Sequence, residues 1–250
     1  MIHVERLAAE LAELVRVFPA HPERAHLLTM YDRDDEDRPD WDAFEAFVRA
    51  HKQDRLAMPA MQLIAWRTRT IKGSFRRFAY FVPTILAACV SESTDGWLTW
   101  RSASSWLAEA RSGESFYHAE YGSPVPRDFT EDERRAMSAF FAAALRETVH
   151  GPSPDEALDV LVCAAAFDAH PRDVLLAWIA LGDVDAEAAL ARAVPEVLGN
   201  SRHTKLHAAV ADERVRAALE QRFLASTDPK RAAALSELEA VVAVLVTPSG

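Results

Sequence analysis

The stretch FTEDERRAMSAFFAAALRETV, Phe129 to Val149, decides the class of fold. Thr130 and Glu133 stand three apart, the spacing of a capping box in which each side chain takes up a main-chain N–H left free at a helix start. Met137, Phe140, Phe141, Ala144, Leu145 and Val149 then recur at three- and four-residue steps, forming one apolar stripe of a helix.

The same punctuation continues toward the C-terminus. Ser153-Pro-Asp-Glu156 reads as a second box, with Pro154 at the favoured first helical position. Further helix starts fall at His170-Pro171, Asp183 or Asp185, Ser201, Asp212 and Asp228-Pro229. Starts at 153, 183 and 212 lie about thirty residues apart, the pitch of stacked helix pairs, although no residue signature repeats between them. The run VVAVLV, Val241 to Val246, is β-like in composition. It nevertheless continues the helical stripe of Ala234, Leu235, Leu238, Val241, Val242 and Leu245. The expected fold is therefore all-α, and residues 129–250 are expected to form a solenoid-like array of helical hairpins.

Residues 1–128 read as an irregular lobe of about five helices. Val4, Leu7, Leu11, Leu14, Val15 and Phe18 mark the first, ended by Pro19 and Pro22, with a short second helix running through Leu28 and Met30. Tyr31 to Glu45 is acidic: Asp32, Asp34, Asp35, Glu36, Asp37, Asp40, Asp42 and Glu45 against Arg33 and Arg38. Its first half reads as a solvated loop. Its second half opens a helix capped by Asp40, with Trp41, Phe44, Phe47 and Val48 as the buried face. Two helices follow, broken near Gly73, the second kinked or stopped at Pro83. A helix from Trp100 to Arg111 leads into a Gly- and Pro-containing segment, 112–128, expected as a long loop and the join between the lobes; a single continuous domain is the alternative.

Composition narrows the function. The chain has 250 residues, half of them hydrophobic, with 28 Lys and Arg against 38 Asp and Glu, a formal charge of −10. Disorder and a disulfide scaffold are excluded, and nucleic acid is repelled by the molecule as a whole. Cys89 and Cys163 sit among apolar residues and read as buried thiols. The first residues carry Glu5 and Glu10 within their apolar pattern, unlike a secretory signal. The longest apolar run, Phe78 to Val90, is interrupted by Pro83 and falls short of the roughly 20 residues a membrane span needs. A cytoplasmic location without membrane contact is expected.

Few motifs carry chemistry. His203 and His207, four apart, would share a helix face and can hold zinc only with a third ligand; Thr204 stands where a metalloprotease helix has Glu. The acidic run fails the calcium-loop template, because Asp37 falls at the turn glycine in one register and Arg38 at a ligand in the other. Phosphate-loop, dinucleotide and nucleophile-elbow motifs are missing from the sequence. No metal or cofactor is therefore expected. An enzyme is the less favoured reading, its best candidates being His118, His203 and His207 in a cleft.

From Arg55 to Ser91 there is no acidic residue, and Trp66 to Phe81, WRTRTIKGSFRRFAYF, interleaves cations with aromatics. Three readings stand open. The acidic and basic blocks pair with each other and the rings are core; or the charged residues bind a protein partner; or the strip binds nucleic acid. The candidate partner-binding residues are Arg67, Arg69, Lys72, Arg76, Arg77, Asp34, Asp35, Glu36 and Asp37.

Two segments carry a resemblance: Phe75-Arg-Arg-Phe-Ala-Tyr-Phe-Val-Pro83, and Phe129-Thr-Glu-Asp-Glu-Arg-Arg-Ala136 before an aromatic helix. The pair resembles uncharacterised bacterial helical families with an F-R-Y-F-L-P-like segment and a later F-T-x-E-Q-R-x-A helix. Arg77 and Ala79 are extra residues in this chain's first segment. The resemblance implies a helical architecture and transfers no catalytic residue. The function expected is a non-enzymatic protein-binding module, most concretely an immunity- or antitoxin-like inhibitor covering a basic toxin. A nucleic-acid-binding scaffold using residues 66–81 and a helical enzyme are the alternatives.

Overall fold

Helical apolar spacing becomes helix throughout the described part of a computed structural model, which covers residues 4–20, 38–66, 75–91, 99–121, 128–151, 156–199 and 203–225, with Pro229 and Ser236. A 3-10 turn, Val4–Leu7, leads into α1, Ala8–Val17; then come α2, Arg38–Ala50, a second 3-10 turn, Arg55–Ala57, and α3, Ala60–Ala65. They are followed by α4, Phe75–Val90, α5, Trp100–Tyr121, and α6, Glu131–Val149. The remaining helices are α7, Ala157–Ala166, α8, Pro171–Leu181, α9, Val184–Gly199, α10, Thr204–Ala211, and α11, Glu213–Ala225. The fold is all-α, and among the described residues there is no strand. The chain divides into two compact units, residues 4–136 and the residues from Met137 onward, so α6 begins in one and continues in the other.

The first unit is built around α4. Its residues are apolar on nearly every face, so the helix must be enclosed. Phe75, Phe78, Ala79, Tyr80, Phe81, Val82, Ile85 and Leu86 are all buried, and α1, the Arg55–Ala57 turn, α3 and α5 pack on it. Rings continue the core: Phe44 meets Phe81 at 5.9 Å between centroids, Phe75 meets Phe129 at 4.8 Å, and Phe18 meets Phe129 at 5.9 Å. Each such ring contributes about 1.5–3 kcal/mol by leaving water.

Several details differ from the sequence reading. Of the kink or stop expected at Pro83, the stop is absent, since the helix passes through to Val90. Proline removes one intrahelical hydrogen bond, and burial on all sides holds the helix together across the gap. Helix α2 opens at Arg38, ahead of Asp40, so Asp40 lies in its first turn instead of capping it; Phe44, Phe47 and Val48 are buried as expected. The segment after Arg111, expected as loop, stays helical to Tyr121. The short helix expected through Leu28 and Met30, the break near Gly73 and the box at Ser153 lie outside the described residues.

In the second unit α8 occupies the centre, with α7, α9, α10 and α11 all packed against it. Val174, Leu175, Trp178 and Ile179 form its buried face, and the Trp178 indole N–H donates to the Ala186 carbonyl at 3.2 Å. Gly182 closes α8 at φ 70°, the left-handed conformation glycine adopts at least cost. Starts at Pro171, at Asp183 and at Asp212 appear where the sequence places them: Asp183 Oδ1 accepts from the Ala186 N–H at 2.9 Å, and Asp212 Oδ1 from the Arg214 N–H at 2.9 Å. Helix α10 begins at Thr204, three residues past Ser201.

Candidate functional site

The basic-aromatic strip enters the fold along α4, and its rings are the first to be accounted for. Phe75, Phe78, Tyr80 and Phe81 are buried, so these four aromatics pack the core instead of offering a stacking surface. Trp66, at the end of α3, is half-buried and lies 5.7 Å from Phe44.

Arg76 is the one candidate residue whose side chain the structure describes. Its guanidinium donates through Nη1 and Nη2 to the two carboxylate oxygens of Glu133, at 2.8 and 2.7 Å. Such a fork-to-fork pair is the strongest geometry available to arginine. Glu133 is 1% exposed and Arg76 21%. Glu133 is also the second member of the capping box: its Oε2 accepts the Thr130 N–H at 2.8 Å, while Thr130 Oγ1 accepts the Glu133 N–H at 3.3 Å. One buried carboxylate thus closes the start of α6 and anchors the start of α4. The box was legible in the sequence; its arginine was not, being 57 positions away.

Arg55, the first cation of the acid-free stretch, is also internal, at 5% exposed. Its Nη1 donates to the carbonyls of Pro19, at 2.6 Å, and Tyr80, at 3.1 Å; its Nη2 donates to those of Val15 and Phe18. Val15 and Phe18 end α1, where carbonyls lack intrahelical partners, so the guanidinium satisfies a helix C-terminus and meets the negative end of its dipole. The cation also lies 5.2 Å from the Tyr80 ring centroid, and Thr84 Oγ1 donates to the Arg55 carbonyl at 3.0 Å. Burial pulls Arg55 below its ordinary value, while Tyr80 acts in the other direction. The Tyr80 phenol is pushed up by burial, against the opposing pull of Arg55.

The rest of the candidate set is not brought into view. Arg67, Arg69, Lys72, Asp34, Asp35, Glu36 and Asp37 lie outside the described residues, and Arg77 is placed on α4 without a described side chain. From the acidic run, Asp42 and Glu45 are exposed on α2. His203 caps α10, its carbonyl accepting the His207 N–H at 2.9 Å. Burial and His207 lower His203, with Glu196 opposing them. Among the described residues no three His, Cys, Asp or Glu side chains are grouped to hold a metal ion. No described helix is long and apolar enough to cross a membrane. Cys163 is buried and Cys89 half-buried.

The second unit carries polar pairs that the sequence reading did not single out. His150 Nε2 lies 2.7 Å from Asp183 Oδ2, Lys205 meets Asp168 at 3.0 Å, Arg172 approaches Asp212 at 3.7 Å, and Arg222 meets Glu187 at 3.1 Å. Each joins residues distant in sequence, and only the capping propensity of Asp183 and Asp212 gave any signal. No family model, curated protein or solved structure matches the chain.

Proposed function

We propose that the chain is a helical protein-binding module that holds a basic protein partner through its excess of negative charge, most concretely an inhibitor of the immunity or antitoxin kind. One observation carries this reading. The two cations of the acid-free stretch whose side chains are described, Arg55 and Arg76, are taken up by main-chain carbonyls and by Glu133. Arg55 is thus enclosed and Arg76 neutralised by its own carboxylate, so neither stands free on the basic strip, while the chain as a whole keeps its formal charge of −10. A field of one sign steers an oppositely charged partner and disfavours others. The buried rings of α4 reinforce the point, because single-stranded nucleic acid is held by exposed aromatics as well as cations.

The test is capture with tagged protein from the source organism's lysate, reading protein and nucleic acid together. It is repeated with a variant carrying Asp34→Asn, Asp35→Asn, Glu36→Gln and Asp37→Asn. The reading predicts one basic protein near equal stoichiometry, bound at least about tenfold more weakly by the variant and weakened by salt. Nucleic acid without a protein partner would overturn it. The strip would then be examined through Arg67, Arg69 and Lys72, since reversing the charge at Arg76 sets a carboxylate against buried Glu133.

A further inference from the structure

We propose that His150 is a pH-sensitive fastening that holds the end of α6 to the capped start of α9, tightest with the imidazolium ring and weakened when the ring loses its proton. The two ring nitrogens face two acceptors. Nδ1 lies 2.9 Å from the Arg146 carbonyl oxygen, one turn back, and Nε2 lies 2.7 Å from Asp183 Oδ2. A carbonyl oxygen only accepts, and so does an ionised carboxylate. A neutral imidazole has one N–H and one bare lone pair, so it can serve one of these acceptors and must turn a lone pair toward the other. Only the doubly protonated ring satisfies both.

Asp183 makes the contact consequential. Its other oxygen, Oδ1, accepts the Asp185 and Ala186 N–H groups at 3.1 and 2.9 Å and so caps α9. The same carboxylate therefore closes a helix start with one oxygen and receives His150 with the other. It stands one residue beyond Gly182, where the chain leaves α8 in a left-handed turn. Losing the proton at His150 leaves the cap in place and weakens the fastening of this turn to the end of α6, because the neutral ring keeps only one N–H for its two acceptors.

The charged groups acting on the ring are Asp183 in the α8–α9 turn and Asp185 in the first turn of α9, together with the Arg146 carbonyl on its own helix. The Asp183 hydrogen bond raises His150 above the ordinary histidine value, with partial burial opposing it. For Asp183, burial pushes the carboxyl up, but the Ala186 N–H, His150 and the Asp185 N–H together hold it below the ordinary aspartate value. A raised histidine stabilises fully below its unfolded value and loses that contribution as pH climbs through the folded one; a lowered aspartate loses its contribution as pH falls through its folded value. The fastening thus operates in a window closed on the acid side by Asp183 and on the alkaline side by His150. His203, lowered by burial, changes stability in the opposite sense to His150, so the measurement must be made at the ring itself.

The experiment is an NMR titration of the His150 ring in the full-length protein, wild type and Asp183→Asn. Asparagine caps a helix as well as aspartate does, and its amide can donate to a bare Nε2, so this variant accepts the neutral ring. The wild-type midpoint is expected above that of a histidine in a short peptide under the same conditions, and the variant midpoint at or below it. In parallel, the stability of wild type relative to the variant is expected to be greater at about pH 6 than at about pH 9. A wild-type midpoint at or below the peptide value overturns the proposal, as does a raised midpoint that survives Asp183→Asn. Should the variant fail to fold, the wild-type midpoint alone decides.

Discussion

At the scale of single residues, a few polar groups do what apolar burial alone does not. Arg55 converges on carbonyls at the end of α1 and on Tyr80 in α4, so it joins two helices that packing merely presses together. Arg55→Met keeps the apolar stem and leaves those buried carbonyls without donors. It is expected to cost about 2–4 kcal/mol in urea unfolding, and Arg55→Lys to recover part of that loss, since an ammonium supplies fewer directed donors. Equal stability of Arg55→Met and wild type would contradict this role. The sequence showed Arg55 only as the first member of a positive run. A run of like charges reads as solvated surface, and what distinguishes Arg55 is the main-chain carbonyls around it, which no pattern of side chains reports.

At the scale of elements, helix starts were legible because capping is local. Thr130 and Glu133, Asp183 and Asp212 act on N–H groups within three residues of themselves. Ends and interruptions were harder. Pro83 reads as a kink or a stop, and α4 does not stop there, because the surrounding helices enclose it and a lost hydrogen bond weighs less than the burial of its rings. Gly113 likewise sits inside α5, where its cost of about 1 kcal/mol against alanine is outweighed by the rest of the helix. Gly182 is the opposite case, since its role needs its own conformation. A Cβ there would lie 1.6 Å from Arg222 Nη2 and would occupy φ 70°. Gly182→Ala is expected to lose about 2–3 kcal/mol, combining backbone strain with displacement of Arg222 from Glu187. In an Arg222→Ala background the same change is expected to cost only the strain, about 1 kcal/mol. Identical costs in both backgrounds would show that the arginine does not oppose the Cβ.

At the scale of the molecule, all-α composition followed from spacing alone, whereas the choice of neighbours did not. Evenly spaced helix starts suggest a stepwise stack, but α8 is touched by α7, α9, α10 and α11, an arrangement around one apolar helix that α4 repeats in the other unit. Periodicity says where helices begin and which face is apolar; it does not say which faces meet. The candidate site divides on the same line. Its cations were identified by type, and the partner of Arg76 was decided by a contact spanning 57 residues.

The functional proposal depends on the fold's having removed Arg76 from the available surface, and a double-mutant cycle tests that directly. Arg76→Met, Glu133→Gln and their combination would be unfolded in urea beside wild type. Loss of the buried carboxylate's charge and fork is expected to cost about 2–4 kcal/mol, Arg76→Met similarly, and the pair to show a coupling of about 1.5–3 kcal/mol. A coupling near zero would mean that Arg76 stands free of Glu133 in solution. Arg76 would then be open to a partner, and the observation that carries the functional proposal would be lost.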